Sequence, residues 1–365
     1  MVPHPRTVEI PRLLHVSPGC LRDVTPLLAD HDFNLGCVLL GSGPGPSRMF
    51  ADGVANDLRA HGVRVLHLSH LTGRLEQAAA TAGTIIEDGV TTALAVGGGR
   101  VIDTVKLAAA RSGVDFVSVP TAVSNDGISS PIASLVGRDG TRASHAARMP
   151  CGIVVDVSAI GSAPAGTIRA GVGDLVSNLT ACLDWRLADR EGHEQYDAFS
   201  AMIAESAARP ILDLEELDSA SSHAVVAQGL LLSGLAMAAA GTSRPCSGAE
   251  HLISHALDAQ LGSRAALHGE QVALGCLIAA AAHEWSQTAI LLRTFRRLGL
   301  PTSPEDLGLS RAQLVDAVLA APQLRPDRWT VLSQQFRHPA DVERLILRAF
   351  DDAVASLRPL PSVTA

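Results

Sequence analysis

Between residues 34 and about 157, short apolar runs alternate with longer stretches whose apolar positions recur at helical spacing. The runs predict strands over residues 36–40, 63–68, 91–96, 116–119 and 153–156. The periodic stretches predict helices near 48–61 and 74–88, and another opening at Val101. Strands separated by single helices at this pitch belong to a parallel sheet covered on both faces. After Ser162 the strand signal ends, and Ala- and Leu-rich segments of helical period run almost to the carboxyl terminus. The expectation is an α/β domain over residues 1–161 followed by an all-helical domain over residues 162–365. Pro164, Pro210, Pro245, Pro301, Pro304, Pro322, Pro326 and Pro339 are read as helix boundaries, because proline lacks an amide donor and restricts the residue before it. The tail over residues 357–365 has no apolar period and is expected to fray.

The segment LAVGGGRVIDTVKLAAARSGVDFVSVPTAVSNDGISSPIASL, residues 94–135, places chemistry on this frame. A strand delivers the chain to Gly97, Gly98 and Gly99, whose missing side chains let a phosphate approach the amides that open the next helix. After the following strand, Pro120, Thr121, Ser124, Asn125, Asp126 and Ser130 gather at a carboxyl end, the edge where open parallel sheets bind ligands. Each feature has a plain alternative, a tight βα turn for the glycines and a turn-rich crossover held by its own side chains for the polar loop. A second glycine-rich stretch, GSGPGPS at residues 41–47, loses amide donors to its prolines and is read as a structural turn near an adenosine.

Three polar signatures interrupt the apolar helices of the second half: GVGDLVSN at 171–178, AEHLISHALD at 249–258 and ALHGEQV at 266–272. His251 and His255 are four residues apart and share a helix face, while Asp174 and His268 come from two other helices. Two imidazoles and one carboxylate leave a coordination position open, as catalytic rather than structural zinc sites do. A lone histidine among this chain's 14 is more often a satisfied surface residue, and it is the clustering that favours a metal. Glu250 and Glu270 flank the cluster and are read either as partners that orient imidazoles or as solvated carboxylates. HLISH lacks the glutamate of the HExxH metalloprotease pattern.

Charge narrows the partners. The net charge of −8 and a pI near 5.9 argue against the concentrated basic face that nucleic acid demands, so any basic site must be local. Lys106, the single lysine, lies within the glycine-turn segment. The six cysteines have no CxxC pairing, so neither a disulfide framework nor a thiolate zinc site is indicated. No uninterrupted apolar stretch reaches the roughly 20 residues of a membrane span. The amino terminus carries Pro, His and Glu where a secretory peptide would be apolar, and a cytoplasmic protein is expected.

GGGRVIDTVK, SVPTAVSNDGISSPIASL, GVGDLVSNLTACLDW, EHLISHALD and LHGEQV together resemble the sn-glycerol-1-phosphate dehydrogenase family, within the superfamily of dehydroquinate synthases and iron-containing alcohol dehydrogenases. The resemblance spans about Gly97 to Val272. It implies a dehydroquinate synthase-like fold, with a Rossmann-like parallel-sheet nucleotide domain before an all-helical metal- and substrate-binding domain. It implies that Gly99, Arg100, Val101, Ile102 and Asp103 meet the dinucleotide, NAD or NADP, together with Thr121, Ala122, Val123, Ser124 and Ser130. Asp126 would contact substrate. Asp174, His251 and His268 would bind zinc, Asp174 also touching substrate, and His255 would face the substrate as a catalytic group.

The implied reaction is zinc-dependent, NAD(P)H-linked reduction of dihydroxyacetone phosphate to sn-glycerol 1-phosphate. The implied partners are a small phosphorylated three-carbon substrate and further copies of the chain. Three other readings stay open: a sugar-phosphate cyclase of the dehydroquinate synthase type, a metal-dependent dehydrogenase of a related polyol or phosphonate, and a ligand sensor without catalysis. Asn125 departs from the family pattern, in which a histidine commonly precedes the Asp-Gly pair. The strand ending at Leu68 carries no acid to select NAD over NADP.

Overall fold

The computed structural model describes residues 8–352, so the tail over 357–365 lies outside the described residues. The chain divides into two compact units. One takes the chain as far as Ile168 together with Asp218–Gly241. The other takes Arg169–Leu217 and the chain from Thr242 onward.

The first unit is built on a six-stranded, wholly parallel sheet: β1 (Leu13–Ser17), β2 (Cys37–Ser42), β3 (Arg64–Leu68), β4 (Thr92–Gly97), β5 (Asp115–Pro120) and β8 (Gly152–Asp156), in the order β1-β8-β5-β4-β2-β3. Helices α1 (Val24–Ala29), α2 (Arg48–Ala60), α3 (Leu75–Glu87), α4 (Gly99–Ser112) and α5 (Val157–Gly161) connect or follow the strands. Every residue of β2, β4 and β8 is buried, which is why those strands read as unbroken apolar runs. The α/β parallel-sheet expectation is borne out.

Two strand features escape that reading. β1 is an edge strand with one buried residue, and β6 (Ile132–Val136) with β7 (Arg142–Ala146) forms an antiparallel hairpin after the polar loop, where no strand was predicted. β7, RASHA, is nearly all exposed and carries no apolar alternation to announce it.

The second unit is helical throughout its described residues. It comprises most of α6 (Ala165–Arg190), then α7 (Ala198–Ala208), α9 (Ala249–Leu261), α10 (His268–Ala282), α11 (Thr288–Leu298), α12 (Arg311–Leu324), α13 (Leu332–Gln335) and α14 (Pro339–Leu347). Pro322 falls inside α12, two residues from its end, rather than at its boundary.

α8 (Ala220–Ala240) corrects the linear division at residue 161. It sits among the helical residues in sequence but packs in the first unit, against α5, β1 and the 3-10 turn Asp126–Ile128. α8 is also long and apolar enough by composition to cross a membrane, although Ser221, Ser222, His223 and Gln228 interrupt its apolar run. Of its most apolar window 61% is buried within the protein, as in the core helix of a folded unit.

The contact of α8 with the 126–128 turn requires Gly234. A Cβ there would overlap Ser129, whose Oγ donates to the Leu230 carbonyl at 2.8 Å. Gly234→Ala is expected to destabilise the chain by about 1–3 kcal/mol through overpacking. A melting temperature equal to that of the parent would refute this.

Candidate active site

In the first unit, the chain reverses its direction of travel across the sheet at β4, with β2 on one side and β5 on the other. Such a switch point opens a crevice at the carboxyl ends of the strands. Both glycine-rich turns lie there, since Ser42 pairs with Val96 and Gly97 with Pro120. A Cβ on Gly98 would meet nothing within 4 Å, and one on Gly99 only the Asn125 amide at 3.8 Å, so the backbone is open to a phosphate. In the other turn, a Cβ on Gly41 would strike Val105 and Leu71, so that glycine answers to packing.

α4 begins at Gly99, two residues earlier than expected, because the amides of Val101 and Ile102 already bond the Gly98 carbonyl. The residues carried over as dinucleotide contacts therefore divide. Gly99 and the exposed Arg100 occupy the first turn, whereas the Val101 and Ile102 side chains are core. Asp103 has both carboxylate oxygens engaged: one accepts from Lys106 Nζ at 3.0 Å, the other from the Ser134 amide at 3.0 Å.

Lys106 is fully buried, and its ammonium also donates to the carbonyls of Gly127 and Ile132, each at 2.7 Å. The lone lysine thus ties α4 to the polar loop. Within that loop Asn125 Oδ1 accepts from the Gly127 amide at 2.9 Å, and the Asp126 carbonyl accepts from the amides of Ser129 and Ser130. Thr121, Val123 and Ser130 are buried, while Ala122, Ser124 and Asp126 are partly exposed.

In the second unit, Asp174 on α6, His251 on α9 and His268 at the start of α10 come together. Three glycines make this possible. A Cβ on Gly173 would overlap the Gly269 carbonyl, one on Gly269 would overlap the Ala170 carbonyl, and one on Gly275 would press on the Glu250 backbone. α10 therefore touches the backbones of α6 and α9, and the residues beside two of those glycines are Asp174 and His268.

Asp174 Oδ1 lies 3.5 Å from His251 Nε2 and 3.7 Å from His268 Nε2, and all three donor atoms fall within 4.8 Å of one another. Those separations are long for hydrogen bonds. Donors about 2.0–2.2 Å from a tetrahedral cation stand about 3.3–3.6 Å apart, so the set fits a divalent metal. The other ring nitrogens are held elsewhere: His251 Nδ1 lies 3.1 Å from Glu250 Oε1, and His268 Nδ1 lies 2.9 Å from Ser254 Oγ. Such contacts fix the rings with Nε2 facing the metal position.

Glu250 is completely buried and also accepts from Thr180 Oγ1 at 2.9 Å, whereas Glu270 stands 3.5 Å from Arg169. The sequence left these two glutamates undistinguished, and it missed Ser254. The small residues Gly248 and Ala249 at the head of α9 were the available sign that Glu250 faces inward.

Burial opposes charge on His251, but Asp174 and Glu250 on either side push its imidazole up to about 10. His255 moves the other way, down to about 3, through burial and then the nearby charges of His268 and His251. Its ring centroid lies 5.7 Å from that of His268 and 6.5 Å from that of His251, beside the three-donor set. With Asp258 it shares a second close grouping around His268, in which Asp258 accepts from Gln271 at 2.8 Å.

A parallel-sheet unit with an open glycine turn and a helical unit with a His-His-Asp donor set define a class. Residues 15–164 match the profile of the family described as iron-containing alcohol dehydrogenase. The chain is 36% identical over 336 residues to the glycerol-1-phosphate dehydrogenase (NAD(P)+) of Cenarchaeum symbiosum, covering 90% of this chain and 92% of that one. It is 33% identical over 351 residues to the enzyme of the same name from Methanothermobacter thermautotrophicus, covering 93% and 97%. In fold it is similar to the crystal structure of glycerol dehydrogenase from Schizosaccharomyces pombe, with a TM-score of 0.77 at 19% identity over 96% of this chain and 92% of that one. A probable glycerol dehydrogenase from Sinorhizobium meliloti gives 0.75 at 21%, over 96% and 99%. The chain belongs to the glycerol-1-phosphate dehydrogenase family, within the iron-containing alcohol dehydrogenases.

Two outcomes follow from this geometry. Lys106→Met strands the Asp103 carboxylate and two carbonyls, and is expected to lower the unfolding free energy in urea by about 3–5 kcal/mol. Gly269→Ala forces α10 off α6 and is expected to lose most bound metal after dialysis, measured by elemental analysis. Full metal content in that variant would show that the helix contact does not set the donor spacing.

Proposed function

We propose that this chain catalyses the reversible NADH- or NADPH-linked reduction of dihydroxyacetone phosphate to sn-glycerol 1-phosphate, with zinc held by Asp174, His251 and His268. One observation carries the reading: a carboxylate and two imidazoles present donor atoms within 4.8 Å of one another, in a chain whose long-range relatives are glycerol-1-phosphate dehydrogenases. When bound, a divalent cation supplies Lewis-acid polarisation of the substrate carbonyl.

The chain's own residues do the rest. Glu250 and Ser254 hold the Nδ1 atoms of the two ligating rings, and the near-complete burial of Asp174 and His251 excludes water that would screen the site. The Gly97–Gly99 turn takes the dinucleotide phosphates, with Arg100, Thr121 through Ser124 and Ser130 around it. Asp126 is assigned to the substrate, and His255 holds a substrate hydroxyl one helical turn beyond His251. A homo-oligomer in the cytoplasm belongs to the same reading.

The test is net oxidation of NADH or NADPH by the zinc-loaded protein with dihydroxyacetone phosphate, with the stereochemistry of the product determined. Stoichiometric sn-glycerol 1-phosphate is expected. Turnover of a sugar phosphate with no net nicotinamide change would replace the reading with a cyclase. For the residues, His268→Ala should remove metal and activity together, whereas His255→Ala should keep its metal and turn over more slowly. Zinc retained in His268→Ala would break the ligand assignment.

A further inference from the structure

The substrate of the proposed reaction carries a phosphate dianion, and the second unit gathers three arginines, Arg244, Arg325 and Arg328, against the two carboxylates of Glu194 and Asp327. Arg244 is fully buried. Its Nε pairs with Glu194, its Nη1 donates to the Trp329 carbonyl at 2.7 Å, and its Nη2 is buried without a partner. Arg328 reaches the same segment, donating from Nη1 to the Ser247 carbonyl at 2.6 Å and from Nη2 to Ser243 Oγ at 3.0 Å.

Ser247 leads directly into α9, the helix that carries His251 and His255, and α12, which ends just before Arg325, packs along α9. The positive charges of Arg325 and Arg328 both bear on the His255 ring. Burial, and after it the charges of Arg244 and Arg325, pull the Arg328 guanidinium down to about 10, with Glu194 and Asp327 as the opposing charges. Like charges crowded beside a metal-binding cluster, one with an orphaned buried donor, are a poor structural device. They are a good seat for an anion, because the guanidinium fork matches phosphate oxygens.

We propose that Arg325 and Arg328, backed by Arg244, form the site that takes the phosphate monoester of the substrate beside His255. The inference rests on the reductase reading above and supplies the phosphate-binding groups that the sequence did not reveal. It also says how the chain prefers a phosphorylated ketone, since a guanidinium cluster left without its anion penalises the unphosphorylated analogue.

The test compares Arg325→Gln and Arg328→Lys with the parent, all zinc-loaded, on dihydroxyacetone phosphate and on dihydroxyacetone, with inorganic phosphate as a competing probe. Arg325 is exposed, so its replacement is expected to fold even where Arg328→Lys, which loosens the 243–247 segment, does not. The ratio of kcat/KM for the phosphorylated ketone to that for the unphosphorylated one should fall about tenfold or more in each folded variant. Competitive inhibition by inorganic phosphate should weaken in parallel.

Equal losses on both ketones would mark a structural role and overturn the proposal. A rise confined to the KM of the nicotinamide would assign the arginines to the dinucleotide and overturn it as well. If the parent reduces neither ketone, the reductase reading falls, yet the anion site is still read by the rise in melting temperature with inorganic phosphate. Loss of that rise in Arg325→Gln supports the site; its persistence refutes it.

Discussion

The close passage of α10 along α6 and α9 is the constraint on which the candidate metal centre depends. A side chain at Gly173 or Gly269 would occupy space now filled by backbone carbonyl oxygens, and one at Gly275 would meet the Glu250 backbone. Because these positions are bare, Asp174, His251 and His268 reach one another from three helices. The contact also explains why a carboxylate as buried as Asp174 is tolerated: an isolated buried charge is expensive, and here imidazoles stand close enough to share a proton or a cation with it.

The first unit solves a similar problem with a lysine. Its polar loop follows the carboxyl end of β5 and has to be tied to the layers behind it. Short-range bonds through Asn125, Asp126 and Ser129 shape the turn, but they do not fix it to the sheet layers. Lys106 does that from inside α4, by satisfying two loop carbonyls while its charge is balanced by Asp103. Gly234 then admits α8 against the far side of the same turn. In each unit, glycines permit a close backbone approach and a buried charged group determines what occupies it.

Fold similarity by itself does not reach substrate. The neighbours named as glycerol dehydrogenases share the architecture at TM-scores of 0.75 and 0.77 with about a fifth of residues identical. A scaffold common to several activities leaves discrimination to side chains placed on it. The proposed phosphate seat of Arg325 and Arg328 lies in the loop after α12, a segment whose sequence, RPDRW, carries no pattern that marks it as part of a site.

Periodicity along the chain was enough to locate β2, β4, β5 and β8, because strands buried on both faces must be apolar at nearly every position, and the apolar run of the edge strand β3 was legible as well. The histidine spacing and the family motifs were enough to nominate Asp174, His251 and His268. β7 left no mark, since an exposed hairpin strand faces water and needs no apolar alternation, and β1 was missed as well. The pairing of Glu250 with His251, the membership of α8 in the first unit and the gathering of Arg244, Arg325 and Arg328 were decided by tertiary structure alone. A linear pattern records how much of each residue is shielded from water, whereas the identity of the group that shields it depends on which distant segments are brought together in space.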